Sequence, residues 1–317
     1  MDIATGLVFY LTSFIAIWFG AGLIIQSVDK IAHKLKLSSF AVSFFVLGLL
    51  TSIPEAAVSI NAVIEHKPEV FVGTFLGGVI VIFLLIIPIL AILGKGLKLN
   101  HDLSSTSLIG LLVVIALPGL MILDHKVTNL EGFILILAYA IIFYFIERKH
   151  GVFEHRRTKP LSVKMYSFLD LAKVALGIGI VFVSSQFIVN QTMVFSQLLN
   201  VPAFYLSLVV LAVGTNLPEL SLAIRAVLSG RKDIAFGDYL GSAAANTLLF
   251  GVFTIVNDGE VFTFNSFLIT FLFIITGLIL FYFFSQSKKD ISRKEGIILM
   301  AVYGLFVVYE ISRGLFF

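Results

Sequence analysis

The sequence predicts an all-α membrane protein with ten transmembrane helices in two inverted five-helix repeats. Three observations carry that prediction: extreme apolarity, ten apolar runs of membrane-spanning length, and a polar motif that recurs 164 residues further on with five spans between its copies. Of the 317 residues 59% are hydrophobic and 13% charged, and mean hydropathy is +1.05, far outside the range of a soluble domain. The runs lie at approximately 4–26, 39–64, 70–94, 104–123, 130–147, 168–190, 203–228, 234–256, 262–284 and 295–312 and are numbered spans 1 to 10 here. Each is long enough to cross a hydrocarbon core of ~30 Å as a helix, whereas barrel strands would be short alternating segments. Span 1 follows Met1-Asp2 with no basic region and no small-residue cleavage site behind it, so it reads as a mature span and not a signal peptide.

The polar links set the orientation. Lys30, Lys34 and Lys36 follow span 1, Lys95 and Lys98 follow span 3, and Arg148, Lys149, Arg156, Arg157, Lys159, Lys164 and Lys173 surround the link after span 5. Arg225, Arg231 and Lys232 flank the end of span 7, and Lys288, Lys289, Arg293 and Lys294 follow span 9. Of the 22 basic residues only Lys67, Lys126 and Arg313 are left for the other side. The positive-inside bias therefore predicts that both termini lie outside; the protein is expected to be a multi-pass protein of the plasma (inner) membrane. The bias divides the chain into a first five-helix repeat (1–147), a basic cytoplasmic link (148–167) and a second five-helix repeat (168–317). The net charge of +3 implies no nucleic-acid partner; the partners expected are the lipid bilayer and the transported cations.

Sliding the chain by 164 residues places LLTSIPEAAVSINAV (49–63) on VGTNLPELSLAIRAV (213–227), and GTFLGG (73–78) on GDYLGS (237–242) without a gap. The two copies, about 40–94 and 203–256, occupy spans 2 and 3 and spans 7 and 8, and an offset of five spans forces opposite orientations. Inverted repeats of this kind characterise secondary transporters, whose substrates bind near the midplane where the repeats meet.

Within this repeat Glu55 and Glu219 lie well inside spans 2 and 7, where an ionised side chain costs at least ~2.5–3.5 kcal/mol. Each follows a proline, Pro54 or Pro218, that cannot donate to the carbonyl of Leu50 or Gly214, so each helix is expected to bend and expose backbone oxygen beside its acid. Thr51 and Ser52 add side-chain oxygen in one half, Thr215 and Asn216 in the other. A single hydroxyl in a membrane helix is more often bonded back to its own backbone; clustered beside Pro-Glu, these four read as ligands. Span 8 adds Ser242 and Asn246, one turn apart, where span 3 has Gly78 and Ile82. Gly73, Gly77, Gly78, Gly237 and Gly241 read as packing positions that let spans 3 and 8 approach spans 2 and 7. Asp238, near the start of span 8, reads as an interfacial charge with a lesser claim to a transport role.

Two acids, two threonines and freed carbonyls fit the shell of 6 to 8 oxygens that Ca²⁺ takes, and fit Mg²⁺ less well. With no cysteine and all six histidines in or next to loops, disulfides, thiolate chemistry and a transition-metal centre are not expected. Two carboxylates are expensive to move through a low-dielectric setting alone, whereas one Ca²⁺, two Na⁺ or two protons would neutralise them. Obligatory exchange follows more naturally than uniport, and motifs such as HExxH or GxSxG, which an intramembrane hydrolase would need, are absent from the sequence, so no enzyme is expected.

The segments TSIPE (51–55) with GTFLGG, and GTNLPE (214–219) with GDYLGSAAAN (237–246), resemble the two α-repeats of the cation/calcium exchanger superfamily, which includes sodium/calcium and proton/calcium antiporters. The resemblance implies that Glu55 and Glu219 bind Ca²⁺ and the coupling cation. It implies further that Thr51, Ser52, Thr215, Asn216 and Ser242, with the carbonyls of Gly48 and Ala212, complete neighbouring sodium-type sites, and Asn246 matches a position where the superfamily carries Asn or Asp. Gly78 and Ile82 depart from it, since a serine and a polar amide or acid are usual there. It implies a monomeric transport unit without resident cofactors, whose only ions are those transported, Ca²⁺ with Na⁺ or, alternatively, H⁺.

Overall fold

The computed structural model describes residues 3–34, 44, 48–94, 96–98, 105–150, 168–228, 232–257, 261–262, 267–286 and 290–315. Among these, nine helices are long and apolar enough to cross a membrane, and the chain is an integral, multi-pass, helical membrane protein. Span 1 is Ile3–Lys34, span 4 runs over Ser105–Met121 with a 3-10 turn at Ile122–Asp124, and span 5 is Asn129–His150. Span 6 is Phe168–Leu199, span 8 Lys232–Val256, and span 10 Arg293–Leu315. Span 2 is described as Gly48–Thr51 and Ile53–Ile64, and its predicted residues 39–43 and 45–47 lie outside the described ones.

Spans 3 and 7 carry internal irregularities. Span 3 runs through Pro68–Val81, a π-turn at Ile82–Ile86, and Ile87–Leu93. Pro88 cannot donate an amide hydrogen, and a π-turn is a usual way to absorb such a defect without ending the helix. Span 7 is divided into Ala203–Leu206, a π-turn at Ser207–Leu211, Ala212–Thr215 and Leu217–Leu228. Span 9 corrects the sequence reading: it begins at Leu268, not 262, and ends at Gln286. Val261 and Phe262 are strand residues that spend their backbone groups on another segment, which periodicity of apolar residues does not distinguish from a helix start.

Among the described residues, four two-residue strands add a small β component to the predicted all-α fold: β1 (Leu97–Lys98), β2 (Lys126–Val127), β3 (Val261–Phe262) and β4 (Asp290–Ile291). β1 pairs antiparallel with β4, Leu97 opposite Ile291, and β2 with β3, Val127 opposite Val261. Adding 164 converts β1 into β3 and β2 into β4, so the two pairings are images of one another. β1 and β2 lie at opposite ends of span 4, and six residues between β1 and span 4 are too short to recross ~30 Å of hydrocarbon. The repeat-equivalent strands β1 and β3 therefore sit at opposite ends of the bundle, and the two halves are inverted.

The same offset relates other elements residue for residue. Gly48–Thr51 maps onto Ala212–Thr215 and Ile53–Ile64 onto Leu217–Leu228. Spans 5 and 10 start on matching capping boxes: the Thr128 amide donates to Glu131 Oε2 (2.7 Å) and the Glu131 amide to Thr128 Oγ1 (3.3 Å). Ser292 and Glu295 repeat these bonds at 2.7 and 3.4 Å.

Spans 3 and 8 form the buried centre, with 78% and 72% of their apolar windows inside the protein against 22% for spans 5 and 10. Phe71 and Phe75 of span 3 interlock with Phe250 and Phe253 of span 8 at centroid distances of 6.0 to 6.3 Å. Outward, Phe133, Phe145, Leu305 and Val308 are exposed, as lipid-facing side chains are. Because lipid is as apolar as leucine, association inside the membrane relies on close fit. A Cβ on Gly77 would collide with the Leu208 carbonyl of span 7, and one on Gly241 with the Phe44 carbonyl of span 2. These glycines and these contacts are again repeat images, so each central span packs on the broken span of the opposite half.

Gly77→Val and Gly241→Val are expected to cost about 3 kcal/mol or more, since backbone on both sides cannot give way. Thermal unfolding of detergent-purified protein, followed by loss of the monodisperse peak in gel filtration, should show both variants less stable than wild type by comparable amounts.

Candidate functional site

The repeat motif folds into a pair of interrupted helices because each acid follows a proline. Pro54 and Pro218 cannot donate to the carbonyls of Leu50 and Gly214, and regular helix is interrupted two residues earlier, at Ser52 and Asn216. Their backbone angles, φ −79°, ψ 3° and φ −86°, ψ 12°, mark a turn common to both halves. Both chains resume at once, with Ala56 N donating to Ser52 O and Leu220 N to Asn216 O at 3.0 Å. The carbonyls that the site side chains touch are not the two freed by proline but those of Gly48 and Ala212. Ser52 Oγ donates to Gly48 O at 2.9 Å, and Asn216 Nδ2 to Ala212 O at 2.8 Å. Thr51 Oγ1 and Thr215 Oγ1 lean on the same carbonyls at 3.3 and 3.5 Å. The back-bonding that hydroxyls usually adopt in membrane helices is thus present, and it gathers the side chains around two carbonyls.

Both acids are hydrogen-bonded at the interface of the halves. Glu55, Glu219, Thr51, Thr215 and Ser52 have no exposed surface, and Asn216, Ser242 and Asn246 have 1% each. Glu55 Oε1 accepts from Asn216 Nδ2 at 2.9 Å, a bond that crosses from span 7 to span 2, and Thr215 also faces this carboxylate. Glu219 Oε1 accepts from Ser242 Oγ at 3.0 Å, and Ser242 Oγ lies 3.3 Å from Ser52 Oγ. One end of the site is thus a chain of hydroxyls from span 2 through span 8 to Glu219, and the other is an amide from span 7 on Glu55.

The two departures noted in the sequence gain a shape here. A Cβ at Gly78 would sit 2.9 Å from Asn246 Nδ2 and 3.4 Å from Asn216 Nδ2. The amides of both asparagines fill the space beside Gly78, where the other half has the Ser242 hydroxyl. Ile82 begins the π-turn of span 3 and is fully buried, so it offers no oxygen at the position matching Asn246. Glycine packing also fits: a Cβ on Gly48 would lie 2.5 Å from the Gly241 carbonyl carbon and 2.7 Å from Ser242 N, a contact that sets Ser242 against Ser52.

Among the described residues several buried acceptors receive no hydrogen bond: Glu55 Oε2, Asn216 Oδ1 and Asn246 Oδ1. No group of three or more His, Cys, Asp or Glu occurs among them. The site is therefore two carboxylates set among neutral oxygens, a donor set suited to a hard, exchangeable cation. The side chain of Asp238 lies outside the described residues. Sequence reasoning placed the acids, hydroxyls and prolines but assigned no partners across the halves. It also passed over Asn61 of span 2, whose Nδ2 donates to Ser185 Oγ of span 6 at 2.7 Å, and Glu310 of span 10, a third buried acid bonded by Thr270 Oγ1 at 2.5 Å. An acid inside the apolar run 295–312 was the available signal for Glu310.

Comparison with known proteins bears on the family and the fold. Residues 5–146 and 170–312 match the family described as sodium/calcium exchanger protein. The inner membrane protein YrbG of Escherichia coli is 26% identical over 258 residues, covering 76% of this chain and 79% of that protein. The sodium/calcium exchanger MaX1 of Methanosarcina acetivorans is 24% identical over 329 residues, covering 91% and 93%. The solved structure of the sodium-calcium exchanger NCX_Mj soaked with Na⁺ and Sr²⁺ superposes with a TM-score of 0.70 at 18% identity, covering 97% of this chain and 99% of that one; at that identity the likeness concerns the fold.

Glu55→Gln preserves an acceptor for Asn216 Nδ2 and is expected to leave stability nearly unchanged, whereas Glu55→Leu strands a buried amide and should cost about 1–3 kcal/mol. Thermal unfolding of the two purified variants in detergent checks the difference; equal losses would mean that the cross-half bond contributes nothing.

Proposed function

Because the chain belongs to the sodium/calcium exchanger protein family, a family of membrane transporters and not of enzymes, we propose that it exchanges Ca²⁺ for Na⁺ as a secondary-active antiporter. Transport runs by alternating access at the midplane site between the two repeats. The observation that carries the reading is the set of buried oxygens with no donor, Glu55 Oε2, Asn216 Oδ1 and Asn246 Oδ1, beside two buried acids. Leaving such groups unpaired in a dry interior costs roughly 1–3 kcal/mol each, more when charged; a bound cation removes the cost.

In this reading Glu55 and Glu219 hold Ca²⁺ together with Thr51 and Thr215. The flanking groups, Gly48 O, Ser52 and Ser242 on one side and Ala212 O, Asn216 and Asn246 on the other, serve the coupling cation. Pro54 and Pro218 are the bending points through which spans 2 and 7 open the site to one face or the other. One Ca²⁺ balances two carboxylates, and on the return leg monovalent cations must offset charge at the emptied site, which enforces exchange. The transported ions are the only ones required, and a single chain suffices as the transport unit. A second reading, exchange of Ca²⁺ for H⁺ with the glutamates titrating directly, is favoured by one observation: Gly78 and Ile82 bring no oxygen to their half of the site. Orientation follows from the distribution of basic residues, with both termini outside and the link 148–167 in the cytoplasm of a plasma (inner) membrane.

Purified protein in liposomes is expected to take up Ca²⁺ when a Na⁺ gradient is imposed, and Glu55→Gln or Glu219→Gln should lower the initial rate at least ~100-fold, since each removes a charge from the site. Uptake driven by a pH gradient in sodium-free buffer would select the second reading, and no glutamate-dependent uptake under either gradient would reject both. The absence of cysteine makes topology directly measurable: a single cysteine introduced near residue 158 should be protected in intact cells from an impermeant maleimide, and one near residue 126 should react.

A further inference from the structure

The two halves of the site are related by a uniform offset, yet their polar groups differ in chemical kind. Ser52 and Asn216 are repeat equivalents, and each bonds the carbonyl four residues before it, Gly48 O at 2.9 Å and Ala212 O at 2.8 Å. Ser52 has a hydroxyl, which can turn a lone pair or its hydrogen toward a neighbour. Asn216 presents an NH₂ group, which can only donate. Both of its hydrogens are engaged, one by Ala212 O and one by Glu55 Oε1 at 2.9 Å, and Ala212 O also accepts the Asn216 backbone amide at 3.3 Å. Turning the amide over would set Oδ1 against a carbonyl and a carboxylate, two acceptors, so the bonding fixes its orientation. A backbone carbonyl and a carboxylate facing a common point are what a monovalent cation bridges, and here that point holds the positive edge of an amide. Gly78 admits this arrangement: a Cβ there would crowd Asn246 Nδ2 and Asn216 Nδ2, whereas its counterpart Ser242 joins Ser52 and Glu219 in a run of hydroxyl oxygens.

We propose that the Asn216 amide takes the place of one alkali cation, so that this chain holds a single Na⁺-type subsite, on the side of Gly48 O, Ser52, Ser242 and Glu219, in place of two symmetric ones. Asn216 is thereby the residue that sets the number of coupling ions. The proposal rests on the exchange reading for the identity of the ions, but ion counting tests it without transport.

The experiment is equilibrium binding of radioactive sodium to the purified, monodisperse chain in Ca²⁺-free detergent buffer with choline as the replacement cation. Wild type is expected to bind one sodium per chain, Asn216→Ser two, and Ser52→Asn, which installs the amide in the other half, none. Two sodium ions on wild type, or an unchanged count in a monodisperse Asn216→Ser, would overturn the proposal. Should Asn216→Ser not be recovered in folded form, Ser52→Asn decides alone: retained sodium overturns the proposal, lost sodium supports it. Wild type that binds one sodium yet moves no Ca²⁺ in liposomes would overturn the exchange reading and leave the subsite assignment standing.

Discussion

Burying two carboxylates in the middle of a membrane protein is the constraint on which the remainder of this fold depends. Neither Glu55 nor Glu219 touches solvent, and hydrocarbon offers nothing to solvate them. Polar partners must come from other helices, and they must come close. That requirement explains why span 3 packs on span 7 and span 8 on span 2 through Gly77 and Gly241, with no side chain between the backbones. Only at that separation can Ser242 reach Glu219 and Asn216 of one half reach Glu55 of the other. The outer helices, with their exposed phenylalanines and leucines, then have the simpler task of holding this centre in lipid.

The prolines serve the same end by a different route. A regular helix uses its carbonyls internally and would present only side chains to an ion. At the turns of Ser52 and Asn216, Gly48 O and Ala212 O gather the hydroxyls and the amide beside them, Ala212 O while still accepting the Asn216 backbone amide. The site is consequently assembled from short helical pieces held by long ones.

Much of this was legible in the sequence. The identity of Thr-x-x-Pro-Glu in two apolar runs, five spans apart, located the acids, the bends and the inversion, because an acid in such a run is costly enough to need a reason. Spacing along one helix, however, reveals a face and not a neighbour. That Asn216 bonds Glu55 and not the glutamate three residues after it, or that Gly77 lies under Leu208, depends on how spans cross, which periodicity does not encode. The strands at Leu97, Lys126, Val261 and Asp290 are two residues long and too short to imprint a pattern. Val261 and Phe262 were absorbed into a helix for that reason.

The gapless offset of 164 residues has a consequence for history. When backbone contacts between the halves are images of one another, as in the β1–β4 and β2–β3 pairs, the architecture is that of an isologous two-fold dimer whose subunits have been joined end to end. In a dimer of identical chains Ser52 and Asn216 would be one residue, as would Gly78 and Ser242, or Ile82 and Asn246, and both ends of the site would have to share one chemistry. A hydroxyl end facing an amide end is closed to a dimer of identical chains and open to a fused chain, in which one gene spells out the two halves separately. Fusion, on this view, did more than fix stoichiometry of subunits: it released the pseudo-symmetric positions to evolve apart, and Ser52 with Asn216 and Gly78 with Ser242 are where they did so.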